Sequence, residues 1–212
     1  MARIGILGGT FNPPHIGHLV CAQEARAQLE LDRVVLMPAA TPPHKAIAAD
    51  PGGAARLELC RLAAVGDDAL AVSDLEFERQ GPSYTADTLR LLHDREPGDE
   101  LTFIVGGDMA ESLPTWHEPR EVLRLAVLAV AERDETRAED VTARLAPLHD
   151  GTRVRFFAMP RLDVSSSDLR ARVADGRPIR HLVPDAVAEA IAARGWYRPT
   201  AGVTPTEQEH HG

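Results

Sequence analysis

Two histidines three positions apart, His15 and His18, follow a glycine-rich turn near the start of the chain. The turn contains Gly8 and Gly9, which lack a Cβ atom, so the backbone there can turn sharply and approach a ligand closely. An apolar run of strand length, residues 4–7, precedes the turn, and a helix-like segment follows it. Because free N–H groups at a helix N-terminus favour phosphate, these residues predict a phosphate site with two added donors. The alternative is an ordinary strand-to-helix turn with two surface histidines.

A second candidate anion site lies late in the chain, where three serines are followed by an arginine. Ser165, Ser166 and Ser167 open a predicted helix that runs to about Ala174, and Arg170 lies one turn into it. Hydroxyl groups at a helix start and a guanidinium one turn later can both bind an anion. Helix capping alone explains one serine, but it accounts less well for the whole group.

Three single residues in predicted loops could also contact a nucleotide. Lys45 ends a proline-stiffened loop after the second predicted strand and could reach a phosphate at the mouth of the sheet; the alternative is an exposed loop lysine. Asp108 follows a strand that ends in Gly106, and it could hold a ribose hydroxyl or a Mg²⁺-bound water, or cap the next helix. Trp116 lies in a polar, proline-bounded loop, where an indole is better placed to stack on a planar ligand than to cover a core.

The elements that must position these residues alternate between strands and helices. The segments predicted as strands are residues 4–7, 33–37, 70–77, 101–105, 125–131 and 153–159. Continuous apolar strands are typical of a parallel sheet covered on both faces. The sequence therefore predicts an α/β fold, a Rossmann-like doubly wound parallel sheet with helices on both faces and a short C-terminal helical part. Ligands bind such sheets beyond the carboxyl ends of the strands, so Gly9 and Asp108 should face one crevice.

Length and composition fit one domain, which we expect to span residues 1–198, with its helical part from about 160 and a disordered tail at 199–212. Of the 212 residues 44% are hydrophobic, which suffices for a core, and the net charge is −9. This charge argues against a general nucleic-acid binder, and an anionic substrate must be met by locally placed Lys, Arg and His. Cys21 and Cys60 lack metal-ligand spacing and indicate reduced core thiols of a cytoplasmic protein. No apolar run or signal peptide predicts a membrane association.

A family resemblance covers about residues 3–198. Nucleotidyltransferases share the signature Gly-Gly-Thr-Phe-Asp-Pro-x-His-x-Gly-His, which resembles residues 8–18, and the match is close to bacterial nicotinate-nucleotide adenylyltransferases, enzymes of NAD biosynthesis. The departure is Asn12, where the pattern usually has Asp, so the resemblance does not extend to a role that needs a carboxylate there. Residues 81–89, Gly-Pro-Ser-Tyr-Thr-Ala-Asp-Thr-Leu, match the family's second characteristic segment, and Ser-Ser-Ser-x-x-Arg at 165–170 resembles its Ile-Ser-Ser-Thr-x-x-Arg element.

The resemblance implies transfer of AMP from ATP to nicotinate mononucleotide, which gives deamido-NAD and pyrophosphate. The residues that would act on the reacting phosphates are His18, His15, Arg170 and Lys45. The ATP site would comprise Gly8, Gly9, Thr10, His15, His18, Gly106, Asp108, Ser166, Ser167 and Arg170. The mononucleotide site would comprise Thr10, Phe11, Lys45, Ser83, Tyr84, Thr85 and Trp116. No metal would be held by the protein alone, because Mg²⁺ would arrive with ATP.

Two other interpretations stay open at this point. One is adenylyl transfer to a different phosphate acceptor, phosphopantetheine or nicotinamide mononucleotide. The other is a module that senses ATP or NAD without turnover. The presence of four donors together argues against such a sensor: His15, His18, Lys45 and Arg170. In each case we expect small-molecule partners and neither nucleic acid nor membrane, and a homo-oligomer is possible.

Overall fold

The computed structural model describes residues 1–42, 49–132, 138–148 and 153–199. Its strands are β1 Arg3–Gly9, β2 Arg33–Pro38, β3 Leu70–Val72, β4 Glu100–Gly106, β5 Ala126–Glu132 and β6 Val154–Ala158. They form one parallel sheet in the order β3-β2-β1-β4-β5-β6. The chain moves outward from β1 to one edge, returns to β4 and moves outward to the other edge. The predicted Rossmann-like parallel sheet is therefore confirmed, with its order reversing between β1 and β4.

Helices cover both faces of this sheet. In the described ranges they are α1 Ile16–Gln28, α2 Gly53–Ala63, α3 Thr85–Arg95, α4 Gly107–Ser112, α5 Pro119–Leu125, α6 Ala138–Leu145, α7 Ser166–Ala174 and α8 Asp185–Arg194. One core cluster joins α1 and α2 to the sheet, and another joins α3, α4, α5 and α6 to its other face. Successive strand residues serve opposite clusters, as Phe103 and Ile104 do in β4. Because both faces are buried, the strands read as continuous apolar runs.

The last two helices, α7 and α8, form a separate layer against α2. Their shared core contains Leu59 from α2, Leu169 from α7 and Ile191 from α8, and it includes Tyr197 beyond the last helix. Gly195 ends α8 with a φ of 65°, the left-handed conformation expected of a glycine that follows a helix. This layer brings the C-terminal part of the chain next to the end of β1.

Two element boundaries and one additional helix differ from the prediction. The segment 70–77 is a strand only over Leu70–Val72, after which Leu75–Glu78 forms a short 3₁₀ helix, since its apolar residues can reach the core from a turn as well as from a strand. Helix α1 begins at Ile16, three residues early, because His15 occupies the N-cap position. Helix α5 was not predicted, although Pro119 in its first turn is a common helix start.

Other sequence predictions have mixed outcomes. Cys21 and Cys60 are buried and are not joined by a disulfide, as predicted for reduced core thiols. Across the described part of the chain, no helix combines the length and the apolar character needed to cross a membrane. Lys45 and residues 200–212 lie outside the described residues, so the predictions for this lysine and for the tail stay predictions.

Candidate active site

The two histidines of the signature lie at the N-terminus of α1, at the carboxyl end of β1. Their ring centroids are 3.8 Å apart. The backbone N–H of His15 donates to Nδ1 of His18 over 3.2 Å, so this nitrogen is an acceptor and the neutral ring carries its proton on Nε2. His15 is buried, whereas His18 is half-buried. The fold therefore presents the Nε2–H of His18 as a fixed donor.

The glycines before these histidines make room for aromatic rings. A Cβ atom on Gly8 would lie 3.1 Å from the Phe103 ring, and one on Gly9 would lie 3.1 Å from the Phe11 ring. Neither glycine has a positive φ; the left-handed residue is Phe11, with a φ of 49°. The sharp turn predicted at the glycines thus falls two residues later. Phe11 is 2% exposed, so only its backbone could meet a ligand.

Helix α7 contacts the signature loop directly through two side chains. Nη1 of Arg170 donates to the backbone carbonyl of Asn12 over 2.8 Å, and the Ser166 hydroxyl donates to the carbonyl of Pro13 over 2.8 Å. Ser165 is the N-cap, whose Oγ accepts from the backbone N–H of Asp168. The structure therefore brings the two predicted anion sites together at one loop.

The serines of α7 have different hydrogen-bonding roles. Because the Ser166 hydroxyl already donates its proton to Pro13, it has no second proton for a phosphate. Ser167 accepts from Nη2 of Arg170 over 3.0 Å, keeps its own proton for donation and is exposed. Among these hydroxyls, Ser167 is therefore better suited than Ser166 to bind an anion.

A tyrosine from the C-terminal layer completes the support of this loop. The Tyr197 hydroxyl donates to Oδ1 of Asn12 over 2.8 Å, and both residues are buried. Desolvation by burial raises the pKa of Tyr197, so the hydroxyl keeps its proton. Sequence reasoning missed Tyr197, although an aromatic residue just beyond the last helix of a chain with only 4% aromatics was a usable signal.

A buried arginine, Arg56 of α2, was also missed. It is 1% exposed. Its guanidinium donates hydrogen bonds to the Asp50 carboxylate and to three backbone carbonyls. The carbonyls belong to Thr10, in the signature loop, and to Ala39 and Ala40, just after β2. Its spacing from Cys60 places this charge on the apolar face of a helix, which is the signal that could have indicated it.

Trp116 packs against the core cluster that contains Phe103. Its indole is half-buried, meets the Phe103 ring edge-on with centroids 6.1 Å apart, and donates its N–H to Ser112 Oγ over 3.0 Å. The tryptophan thus packs against the core more than its loop sequence predicted. Nearby, the Tyr84 ring stacks on His117 with centroids 4.4 Å apart. These rings lie on the α3–α5 side of β4.

Ser83, Thr85 and Asp108 do not cap the helices that they precede or begin. The N-cap of α3 is Tyr84, which makes no side-chain cap bond. Ser83 Oγ instead accepts from the backbone N–H of Thr41, which links this segment to the loop after β2. Asp108 is exposed and is the second residue of α4. The N-cap of this helix is Gly106, so Asp108 does not cap it.

The acidic groups of the described residues do not form a metal centre beside His18. The one group with metal-ligand geometry in that part of the chain is Asp87, His117 and Glu118. Its Asp87 carboxylate is already bound by Arg79 and Arg90, and Glu118 also pairs with Arg90.

Comparison with known proteins identifies the family of this chain. The profile of the cytidylyltransferase-like family matches residues 6–172. A relative from Thermomicrobium roseum, named Probable nicotinate-nucleotide adenylyltransferase, is 42% identical over 97% of this chain and 96% of its own. One of the same name from Roseiflexus sp. is 46% identical over 93% of this chain and 98% of its own. The chain belongs to the nicotinate-nucleotide adenylyltransferase family.

The fold is also that of a solved member of this family. The nicotinic acid mononucleotide adenylyltransferase of Plasmodium falciparum, solved in complex with NaAD, matches with a TM-score of 0.76 over 93% of this chain and 98% of that chain. The sequence identity is 16%, so this likeness concerns the fold. In this chain, the residues predicted for ATP lie around the ends of β1 and β4 and in the first turns of α1 and α7.

Proposed function

We propose that this chain transfers the adenylyl group of ATP to nicotinate mononucleotide, giving nicotinate adenine dinucleotide and pyrophosphate. The observation that supports this most strongly is the bond from Arg170 to the Asn12 carbonyl, because it joins α7 to the loop that leads into the two signature histidines. Donors from two distant segments thus surround one loop at the mouth of the sheet. In a chain of net charge −9, such a local group of donors is well suited to a polyphosphate.

The reaction needs positioning more than it needs a nucleophilic side chain. A phosphate oxygen of the mononucleotide attacks the α-phosphorus of ATP, a new P–O bond forms, and the bond from the α-phosphorus to its oxygen bridge with the β-phosphorus breaks. Negative charge develops on the transferred group and on the leaving pyrophosphate. Donors fixed before the reaction stabilise this charge without reorganising.

The roles proposed for the donors follow from their hydrogen bonds. Nε2–H of His18 is held by the bond at Nδ1 and is assigned to the α- and β-phosphates, with His15 stacked beside it. Arg170 is assigned to the β- and γ-phosphates, with the hydroxyl of Ser167 as its partner in place of that of Ser166. Lys45 keeps its predicted role of bridging the phosphates of the two substrates. Mg²⁺, carried by the ATP phosphates, would neutralise part of their charge.

The pyridine ring is assigned to the aromatic side of the crevice. Trp116 is held in place by Phe103 and Ser112, so a flat face of fixed orientation is available. An indole face suits the cationic pyridinium of the mononucleotide. Thr85 lies at the first position of α3, where helix N–H groups favour the nicotinate carboxylate.

The test is pyrophosphate release from ATP and Mg²⁺ with each candidate acceptor added separately. We expect release with nicotinate mononucleotide, less with nicotinamide mononucleotide and none with phosphopantetheine. Greater release with phosphopantetheine would contradict the proposal and favour the alternative acceptor. Binding of ATP without release from any acceptor would instead support a nucleotide sensor.

A further inference from the structure

Arg56 connects three pieces of backbone around the proposed site. Its Nη1 donates to the carbonyls of Thr10 over 3.0 Å and of Ala39 over 2.6 Å, and its Nη2 donates to that of Ala40 over 3.2 Å. Its Nε donates to Oδ1 of Asp50 over 3.1 Å. One guanidinium thereby holds the turn after β1 and both described ends of the segment between β2 and α2.

The surroundings of Arg56 are organised around this contact. Oδ1 of Asp50 also accepts from the backbone N–H of Gly52, at the N-cap of α2, over 3.0 Å. The N–H of Ala39 donates to the carbonyl of Gly9 over 2.9 Å, which adds a direct link between the two loops. The Arg56 side chain is thus surrounded by backbone acceptors from the loops that carry the predicted ATP and mononucleotide residues.

Global stability is a poor explanation for such a residue. Moving a guanidinium into the interior carries a large desolvation cost, and apolar side chains of similar volume often stabilise a fold as well or better. A planar guanidinium with several N–H donors can hold several acceptors in a fixed geometry, which an apolar side chain cannot do. The arrangement fits a residue retained for the relative position of the loops.

We infer that Arg56 is a positioning residue for adenylyl transfer, which fixes the loop after β1 relative to the loop after β2. It touches no substrate and acts through the Thr10 carbonyl on one side and the Ala39 and Ala40 carbonyls on the other. In-line attack needs the two substrate phosphates in a defined relation, and small misplacements reduce the rate strongly. The inference rests on the proposed function for its kinetic measurement.

The test compares Arg56→Met, Arg56→Lys and Asp50→Asn with the control Arg61→Met. Arg61 lies on the same helix, is largely exposed, and pairs with Asp74 at the surface. Melting temperatures are measured first, and kcat and both KM values are then measured well below the lowest Tm. We expect Arg56→Met to lower kcat about 10- to 100-fold while folded, and Arg61→Met to leave kcat unchanged.

The conservative variants separate positioning from stability. Lysine keeps a charge near Asp50 but cannot reach all three carbonyls, so Arg56→Lys should restore Tm more fully than kcat. Asp50→Asn keeps the carbonyl contacts of Arg56, so it should lower Tm and largely spare kcat. If Arg56→Met does not fold, these two variants still decide the matter. A parallel recovery of Tm and kcat in Arg56→Lys, or a wild-type kcat in folded Arg56→Met, would overturn the inference.

A failure of the proposed function would give a different experimental result. In that case the wild-type protein releases no pyrophosphate with nicotinate mononucleotide, whatever residue 56 is. The inference is then decided by equilibrium binding of ATP with Mg²⁺. Weaker binding in Arg56→Met than in Arg61→Met supports a positioning role at the nucleotide loop, and equal binding overturns it.

Discussion

The Tyr197 hydroxyl donates a 2.8 Å hydrogen bond to the side-chain carbonyl of Asn12, joining residues 185 positions apart. Asn12 is 2% exposed and stands where the family signature usually has Asp. An amide can accept this bond without bringing a charge into the interior, so the departure from the pattern is compatible with the buried site. The bond also couples the C-terminal layer to the loop that carries the two histidines.

Tyr197→Phe should destabilise the protein by about 1–2 kcal/mol, because the buried Asn12 carbonyl loses its donor. For a chain of this size that corresponds to a fall in Tm of roughly 2–8 °C. Thermal unfolding followed by circular dichroism measures it. Tyr84→Phe is the matched control, since Tyr84 is the other tyrosine of the chain and its hydroxyl makes no hydrogen bond within the described residues. Equal Tm values for the two variants would contradict a structural role for the Tyr197 bond.

His18→Ala should lower kcat by about 10²–10³ with smaller changes in KM, because a donor to the developing charge is lost. The structure also predicts a difference between the glutamine and asparagine variants of His18. The amide nitrogen of glutamine can occupy the place of Nε2, whereas that of asparagine reaches only the place of Nδ1, which here accepts from the His15 backbone. His18→Gln should therefore retain more activity than His18→Asn. Steady-state kinetics with both substrates decides this, and a kcat within about threefold of wild type for the alanine variant would exclude the role.

Arg170→Lys should weaken ATP binding by about 10- to 100-fold and change mononucleotide binding little. Arginine can bond the Asn12 carbonyl and Ser167 through two nitrogens and keep further N–H groups for phosphate, while lysine is a single point donor. Isothermal titration with each substrate gives the two affinities. Equal losses for both, or losses that follow a fall in Tm, would indicate that this residue mainly holds the loop.

Much of the site could be predicted because its residues are close in sequence. The strand, the turn and the start of α1 lie within residues 3–18, and local patterns specify them. The conformation of the turn could not be predicted, because the space at Gly8 and Gly9 is filled by rings from Phe103 and Phe11. Which residues support the turn depends on packing between distant elements. Arg56 and Tyr197 are examples, since their partners lie 46 and 185 positions away.

Trp116→Ala should weaken binding of nicotinate mononucleotide by about five- to a hundredfold, since stacking on an aromatic ring contributes roughly 1–3 kcal/mol. ATP binding should barely change. Trp116→Phe keeps a flat face but loses the N–H that donates to Ser112. Its affinity for nicotinate mononucleotide should therefore lie between those of the alanine variant and the wild type. Fluorescence titration measures the affinities. The kcat/KM ratio of the acid to the amide mononucleotide should exceed one, and parity or a preference for the amide would contradict the ring assignment.

Cys60 gives a pH-dependent prediction. Burial raises the pKa of this thiol from 9.0 to about 12, an effect that nearby Arg56 partly opposes. The folded state therefore holds the thiol proton more tightly than the unfolded state, so the associated stability is present below pH 9 and is lost as the pH rises toward 12. Each pH unit in that window removes at most about 1.4 kcal/mol through this group.

Urea unfolding at pH 8 and pH 10 should therefore show a steeper loss of stability for wild type than for Cys60→Ala. The alanine variant should be less stable at pH 8, because truncation of a fully buried side chain leaves a cavity. Tyr197 also has a raised pKa, but burial is the largest cause and the charge of Cys60 the smallest, so most of its contribution is common to both proteins. A parallel check is alkylation by iodoacetamide at pH 8, which should be slow for native Cys60 and fast in urea, because the thiolate is the reactive form. Equal pH slopes for the two proteins would show that the thiol is not held protonated by the fold.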